Sequence, residues 1–325
     1  MLKETLMITT NLKEAKQELN SEGIIAIPTE TVYGLAGNAY SENAIKKIFD
    51  LKKRPFYNPL IVHIKSAEFL TEVAREIPEI AQKLANEFWP GPLTLVLKKQ
   101  PHIPDLVTAG KDTVAIRIPN HDLTLNLLEE LEFPLAAPSA NPFGSISPTS
   151  ALHVFNYFED DLKVILDGGE CQKGIESTII GFENDKPILY RLGSLSIEQI
   201  EEKIGPILTK TNSTDNQPAA PGMLSRHYAP STDTYLTNDV TNLIQSYPNK
   251  KIGLLLFQKQ LNNVPIEHQE ILSKTGNLDE AAKNLYASMH RLDKLNLDLI
   301  ITERLPNTGL GKTMNDKLER ATKKE

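Results

Sequence analysis

Ile24-Ile-Ala-Ile-Pro-Thr-Glu-Thr-Val-Tyr-Gly34 joins a short apolar run to a proline and a cluster of hydroxyls with one carboxylate. Runs of this kind, bounded by glycine and proline, predict strands. Residues from Pro28 to Gly34 would then emerge from a strand end, which is where open α/β sheets place ligands. Taken alone, the same residues also suit a capped turn.

The pattern repeats along the chain. Further apolar runs near residues 60–64, 93–97, 114–118, 135–137, 164–166, 178–180 and 188–190 alternate with amphipathic helices up to about Gly205, an α/β arrangement. Ser41 precedes the apolar face of Ala44, Ile45, Ile48 and Phe49, and Ser196 with Gln199 reads as a capping box ahead of Ile197, Ile200 and Ile204. Residues 206–223 are rich in Ser, Thr, Asn and Pro and carry too little apolar area to order themselves, so they read as a linker. Beyond them, strands near 234–236, 253–257 and 299–302 alternate with helices near 239–246 and 278–295. The expected division is a first domain over 1–205, a connecting stretch over 206–230 and a smaller α/β domain over 231–325.

Length and composition bound the function. A chain of 325 residues has room for about two domains. Hydrophobic residues at 40% against 24% charged ones indicate an ordinary folded protein rather than a low-complexity one. A net charge of −7 argues against a broad basic surface that coats nucleic acid, while leaving room for a local basic pocket. Cys171 is the single cysteine, so neither an internal disulfide nor a cysteine zinc cluster can form. Residues 1–19 mix Lys and Glu with isolated apolar positions, and no later run approaches the roughly 20 apolar residues of a membrane span. A cytoplasmic, unanchored protein is expected.

Familiar catalytic signatures do not occur. The chain has no Gly-x-Ser-x-Gly elbow and no His-x-x-x-His pair. Gly309-Leu-Gly-Lys-Thr313 falls short of a phosphate loop because Pro306 stands where its first glycine belongs, so Lys312 reads as a surface charge. Two other stretches are denser in chemistry. In Lys52-Lys-Arg-Pro-Phe-Tyr-Asn-Pro-Leu60 cations finish a helix, a position that suits the helix macrodipole as well as an anionic ligand. Asn58 is followed by Pro59, which fixes the backbone that presents its amide. His63, inside an apolar run, reads by itself as a core residue. Ala137-Pro-Ser-Ala-Asn-Pro-Phe-Gly-Ser-Ile-Ser147 holds polar groups on a proline-stiffened loop ahead of a helix, an arrangement that lowers the entropy cost of meeting phosphate oxygens.

With Phe88-Trp-Pro-Gly-Pro-Leu-Thr94, Val114-Ala-Ile-Arg-Ile-Pro119 and Gly174-Ile-Glu-Ser-Thr-Ile179, these stretches resemble in order the motifs of the threonylcarbamoyl-AMP synthase family, whose catalytic module is a YrdC-like domain. Pro221-Gly-Met-Leu-Ser-Arg-His-Tyr-Ala-Pro230 resembles the linker of that family's longer, two-domain form. The resemblance implies a twisted, mixed α/β sheet with a concave, positively lined cavity, followed by a smaller Rossmann-like domain. It implies a nucleotidyltransferase that carboxylates the threonine amine with bicarbonate or carbon dioxide and transfers AMP from ATP onto the carbamate, releasing pyrophosphate. Downstream transferase machinery would carry the threonylcarbamoyl group to adenosine beside the anticodon of tRNA, and a weak contact with tRNA is a further expectation.

The same resemblance assigns residues. Lys52 and Arg54 are expected at the chemistry, and Arg54, Asn58, Thr113, Ser139, Asn141, Ser147 and Arg191 around ATP, with Arg226 and Tyr228 reaching in from the linker. Thr31, His63, Arg117, Ala137 and Ser177 are expected around threonine, where the Arg117 guanidinium can grip the carboxylate with two bonds. Magnesium is expected to arrive with ATP, without a metal cage of the protein's own. The carbamate is itself the nucleophile, so positioned cations matter more than a reactive side chain. Glu30 fits either a loop brace or a base, Cys171 and Trp89 fit packing roles, and Pro221–Tyr228 is expected to fold over the cavity as a lid, the alternative being a clip that only seats the second domain. Leu192-Gly193 and Leu224-Ser225 depart from the family's usual pairs. Two other functions share the domain: binding of structured RNA in the same basic cavity, and carbamoyl transfer in hydrogenase maturation, whose expected neighbouring domains are not read here.

Overall fold

The fold is that of a computed structural model, which describes residues 7–211, 227–262 and 264–322. Among them, one twelve-stranded sheet organises the first domain. Its order is Met7–Thr9, Val164–Leu166, Ile25–Ile27, Gly34–Asn38, Leu135–Ala136, Ile61–His63, Thr113–Arg117, Leu93–Lys99, Thr178–Glu183, Lys186–Arg191 and Leu208–Thr209, with Ala74–Arg75 paired to Leu93–Lys99. The sheet is mixed: Ile61–His63 lies parallel to Thr113–Arg117, which lies antiparallel to Leu93–Lys99. The register sets His63 opposite Arg117, so two polar residues end their strands side by side.

Helices cover the sheet where sequence periodicity places apolar faces. Glu42–Lys52 buries Ala44, Ile45, Ile48 and Phe49, and starts with Ser41 Oγ accepting the Ala44 N–H at 3.2 Å. It stops at Lys53, whose φ of 52° is left-handed, so the chain turns sharply into the loop that carries Arg54. Ile197–Ile204 opens with the full Ser196–Gln199 capping box. The linker reading needs one correction: Leu208–Thr209 forms an edge strand beside Lys186–Arg191. Two exposed residues leave no apolar run to announce them, and main-chain pairing alone makes the strand. The remainder of the expected linker, residues 212–226, lies outside the described residues.

The second domain is a parallel sheet in the order Thr234–Thr237, Leu299–Glu303, Ile252–Leu256, Gln269–Ile271, flanked by helices Val240–Gln245, Leu278–Asp293 and Leu310–Ala321. The two domains share a core in which Val32, Ile146 and Ile175 pack with Leu285, Tyr286, Met289 and Met314. Gly174, at φ 72°, marks how closely they approach, since a Cβ there would lie 2.2 Å from the Lys283 carbonyl oxygen. No helix of the described residues is long and apolar enough to cross a membrane.

Candidate active site

A cavity opens at the ends of these strands. On one side, the Pro28–Gly34 turn is pinned by Thr29, whose hydroxyl donates to the Val32 carbonyl at 2.6 Å and accepts the Val32 N–H at 3.2 Å. Thr31 is thereby held against Arg117, which donates from Nη1 to Thr31 Oγ1 at 2.9 Å and from Nε to the Gly91 carbonyl at 3.1 Å. Arg117 Nη2 lies 2.6 Å from Glu30 Oε2, with both side chains buried. Glu30 therefore braces an arginine. His63 completes this wall, its Nδ1 without a hydrogen-bond partner among the described residues. Burial, helped by the Arg117 charge, pulls its imidazole down to about 3, so it stays neutral near pH 7.

The opposite wall is cationic. Arg54 donates to the carbonyls of Asn58 at 3.1 Å and Pro59 at 2.8 Å, which shapes its own loop while it lines the cavity. Burial and the neighbouring Arg191 charge pull its guanidinium down to about 9, leaving it charged at neutral pH. Arg191 donates from Nε and Nη2 to the Ser177 carbonyl and from Nη2 to Ser177 Oγ at 3.0 Å. Two like charges held together in a protein of net charge −7 make a local field that favours a polyanion.

The residues singled out from sequence divide into three groups. Arg54, Ser139, Arg191, Thr31, His63, Arg117, Ala137, Ser177 and Tyr228 line the cavity. Lys52 does not: its ammonium donates to the Ser139 carbonyl at 2.6 Å and to the Asn141 carbonyl, so it fastens the Ala137–Asn141 loop from behind. Burial and Arg54 hold its pKa well below the ordinary lysine range. Asn141 donates to the Pro142 and Ser145 carbonyls at 2.9 Å each, and Thr113 begins the strand that Arg117 ends. Asn58 is fully buried with neither amide atom satisfied by the described protein. Arg226 and the lid segment up to it lie outside the described residues.

Sequence reading passed over four further groups: Glu176, His227, Tyr286 and Lys317. Glu176 and His227 line the cavity. Glu176 Oε1 accepts from Ser147 Oγ at 2.6 Å and its Oε2 from Tyr286 Oη at 2.9 Å. Beside His227 on the wall stands Tyr228, at φ 65° with its ring 5.7 Å from that of Tyr286. Glu176 stood inside a quoted motif, and His227 inside the linker motif, without receiving a role. Nothing in the helical sequences around Tyr286 and Lys317 distinguishes them from ordinary amphipathic positions.

Comparison with known proteins bears on this geometry. A family model described as telomere recombination matches residues 17–193, and one described as threonylcarbamoyl-AMP synthase, C-terminal domain, matches residues 195–322. The chain is 42% identical to threonylcarbamoyl-AMP synthase of Pyrococcus abyssi over 92% of its own length and 90% of the relative's. It is 38% identical to that of Bacillus subtilis, over 95% and 92%. The crystal structure of P. abyssi Sua5 complexed with L-threonine superposes with a TM-score of 0.89 at 40% identity, covering 96% of this chain and 94% of that one.

Proposed function

The chain belongs to the threonylcarbamoyl-AMP synthase family, and we propose on that footing that it converts L-threonine, bicarbonate and ATP into threonylcarbamoyl-AMP and pyrophosphate. The observation that carries the reading is the pairing, in one cavity, of an arginine–hydroxyl–imidazole wall with a wall of two buried arginines. The first suits an amino-acid carboxylate and its neighbouring hydroxyl, with Arg117 and Thr31 as anchors and neutral His63 available to accept or donate one hydrogen bond. The second suits phosphates.

The chemistry follows from that division. Bicarbonate adds to the free amine of threonine with loss of water, giving a carbamate. A carbamate oxygen then forms a bond to the α-phosphorus of ATP as the bond to pyrophosphate breaks, a nucleotidyl transfer. Negative charge grows on the departing pyrophosphate, where Arg54 and Arg191 are already oriented by carbonyl acceptors and need no reorganisation. Ser139, Ser147, Asn58, Thr113 and Asn141 are proposed on the nucleotide side, Ala137 and Ser177 beside threonine, and Lys52 as the brace of the serine loop. Magnesium brought by ATP would supply charge neutralisation on the phosphates; Glu176, the carboxylate that lines the cavity among the described residues, is engaged by Ser147 and Tyr286, and Glu30 behind it by Arg117. The product is proposed to feed threonylcarbamoyl transfer to tRNA in the cytoplasm.

Omitting substrates one at a time tests this. Pyrophosphate release should require threonine, bicarbonate and ATP together, with threonylcarbamoyl-AMP detected by mass. Equal release without threonine, or a cavity that binds RNA with steep salt dependence and yields no adenylate, overturns it.

A further inference from the structure

Glu176 presents a problem in a cavity proposed for ATP. It is buried, lines the wall, and would repel phosphates if its charge stood alone. Its ion-pair partner comes from the other domain: Lys317 Nζ, on the helix Leu310–Ala321, lies 3.7 Å from Glu176 Oε2, with the lysine side chain 1% exposed. Lys317 also donates to the Leu192 carbonyl at 3.1 Å and to Tyr228 Oη at 3.3 Å, and sits 4.7 Å from the centre of the Tyr228 ring. Tyr286, on the helix Leu278–Asp293, donates to the same carboxylate oxygen. One lysine and one tyrosine of the second domain thus meet two groups of the cavity wall, Glu176 and Tyr228. A lysine this deeply buried is costly unless paired, which marks the pair as more than surface decoration.

We propose that Lys317, seconded by Tyr286, is a positioning residue for nucleotide binding: it neutralises Glu176 and seats Tyr228, so the second domain completes the ATP side of the cavity. The inference rests on the function proposed above. Burial lowers the lysine to about 8 while Glu176 opposes that fall, so at neutral pH the lysine supplies the cation that the carboxylate needs. With Lys317 in place the wall that meets phosphate is carried by Arg54 and Arg191. Without it, a buried anion faces the ligand.

The test is a rescue. Lys317→Met keeps length and removes charge, and should raise the KM for ATP roughly tenfold while kcat changes less and the KM for threonine stays near wild type. Adding Glu176→Gln to Lys317→Met should return the KM for ATP most of the way, because no anion is left to neutralise. An ATP KM that Lys317→Met leaves unchanged, or that stays raised to the same extent in the double variant, overturns the proposal, since loss of mere packing is not repaired by a second polar substitution. Melting curves run alongside. Should Lys317→Met not fold, Tyr286→Phe carries the test, with an expected rise of about threefold in the same constant; no rise overturns the proposal. Wild type in the same assay separates the two levels. Absence of threonine-dependent pyrophosphate release there removes the proposed function and this inference with it, whereas normal wild-type turnover with unrescued variants removes this inference alone.

Discussion

Asn58, proposed on the nucleotide side, is fully buried beside Arg54, which lines the cavity. Its backbone is fixed, its N–H donating to the Pro55 carbonyl and its own carbonyl accepting from Arg54, yet its buried amide has no partner among the described residues. Leaving such a group unpaired costs about 1–3 kcal/mol. Asn58→Leu, close in volume, should therefore raise the melting temperature of the ligand-free protein and remove most of the further rise caused by magnesium-ATP, which thermal scanning with and without nucleotide will measure. A melting temperature that falls without ligand would contradict the unpaired state. Thr31, Arg54, Asn58, Arg117 and Arg191 were marked in the sequence by the motifs that resemble the family's rather than by type and spacing, since the same cations also suit a helix end and the same hydroxyls a capped turn. Lys52 was legible as a special cation and not as a brace, for the carbonyls it binds lie 87 and 89 residues away. Tyr286 and Lys317 were illegible for the same reason, their partner Glu176 being supplied by another domain.

Elements were readable where an apolar run or a cap announced them. The strands expected near 24–27, 60–64, 93–97, 114–118 and 164–166 formed over 25–27, 61–63, 93–99, 113–117 and 164–166, and Ser41 and Ser196 cap as anticipated. Gly34–Asn38 is not among the strands expected from sequence, and two glycines in five residues argue against one. The fold reverses that preference for a steric reason. A Cβ at Gly37 would stand 3.2 Å from Ile24 Cγ2 and 3.3 Å from Ala44 Cβ, so a bare backbone lets the helix Glu42–Lys52 press against the sheet and bring Arg54 to the rim. Met7–Thr9, Ala74–Arg75 and Gln269–Ile271 escaped notice because two or three residues carry no period. At the far side of the sheet, Ser196→Ala should cost about 1 kcal/mol by opening the capping box of Ile197–Ile204, seen as a lower denaturant midpoint with unchanged slope. Activity should be retained, since that helix lines no part of the cavity.

The joint between the domains gives the protein a pH dependence with a definite sign. His153 stacks on His290 across it at 3.9 Å, and His290 meets the Ser147 carbonyl at 3.2 Å. Burial, then the His290, Lys294 and Arg291 charges, pull His153 down to about 3, and burial pulls His290 down to about 4. His63 is held at about 3 and His227 well below its usual range by burial and the cavity cations. These histidines are neutral when folded and take up protons near pH 6.5 when unfolded. Their contribution is thus complete above pH 6.5 and is lost as pH falls from there towards about 4 and then 3, each by about 1.4 kcal/mol per pH unit within its window. The melting temperature should drop between pH 6.5 and 4.5, less steeply in His153→Phe. A wild-type curve that is flat over this range would mean the rings are already charged in the fold.

Lys317 and Leu192 are hydrogen-bonded across 125 residues of chain. Ribosomes add roughly 5–20 residues each second, so a first domain that has left the exit tunnel waits on the order of ten seconds for the lysine that offsets its buried carboxylate. During that interval Glu176 stands without the lysine that pairs with it in the finished fold. Translation therefore delivers the second domain's lysine to Glu176 and Leu192 only near the end of synthesis.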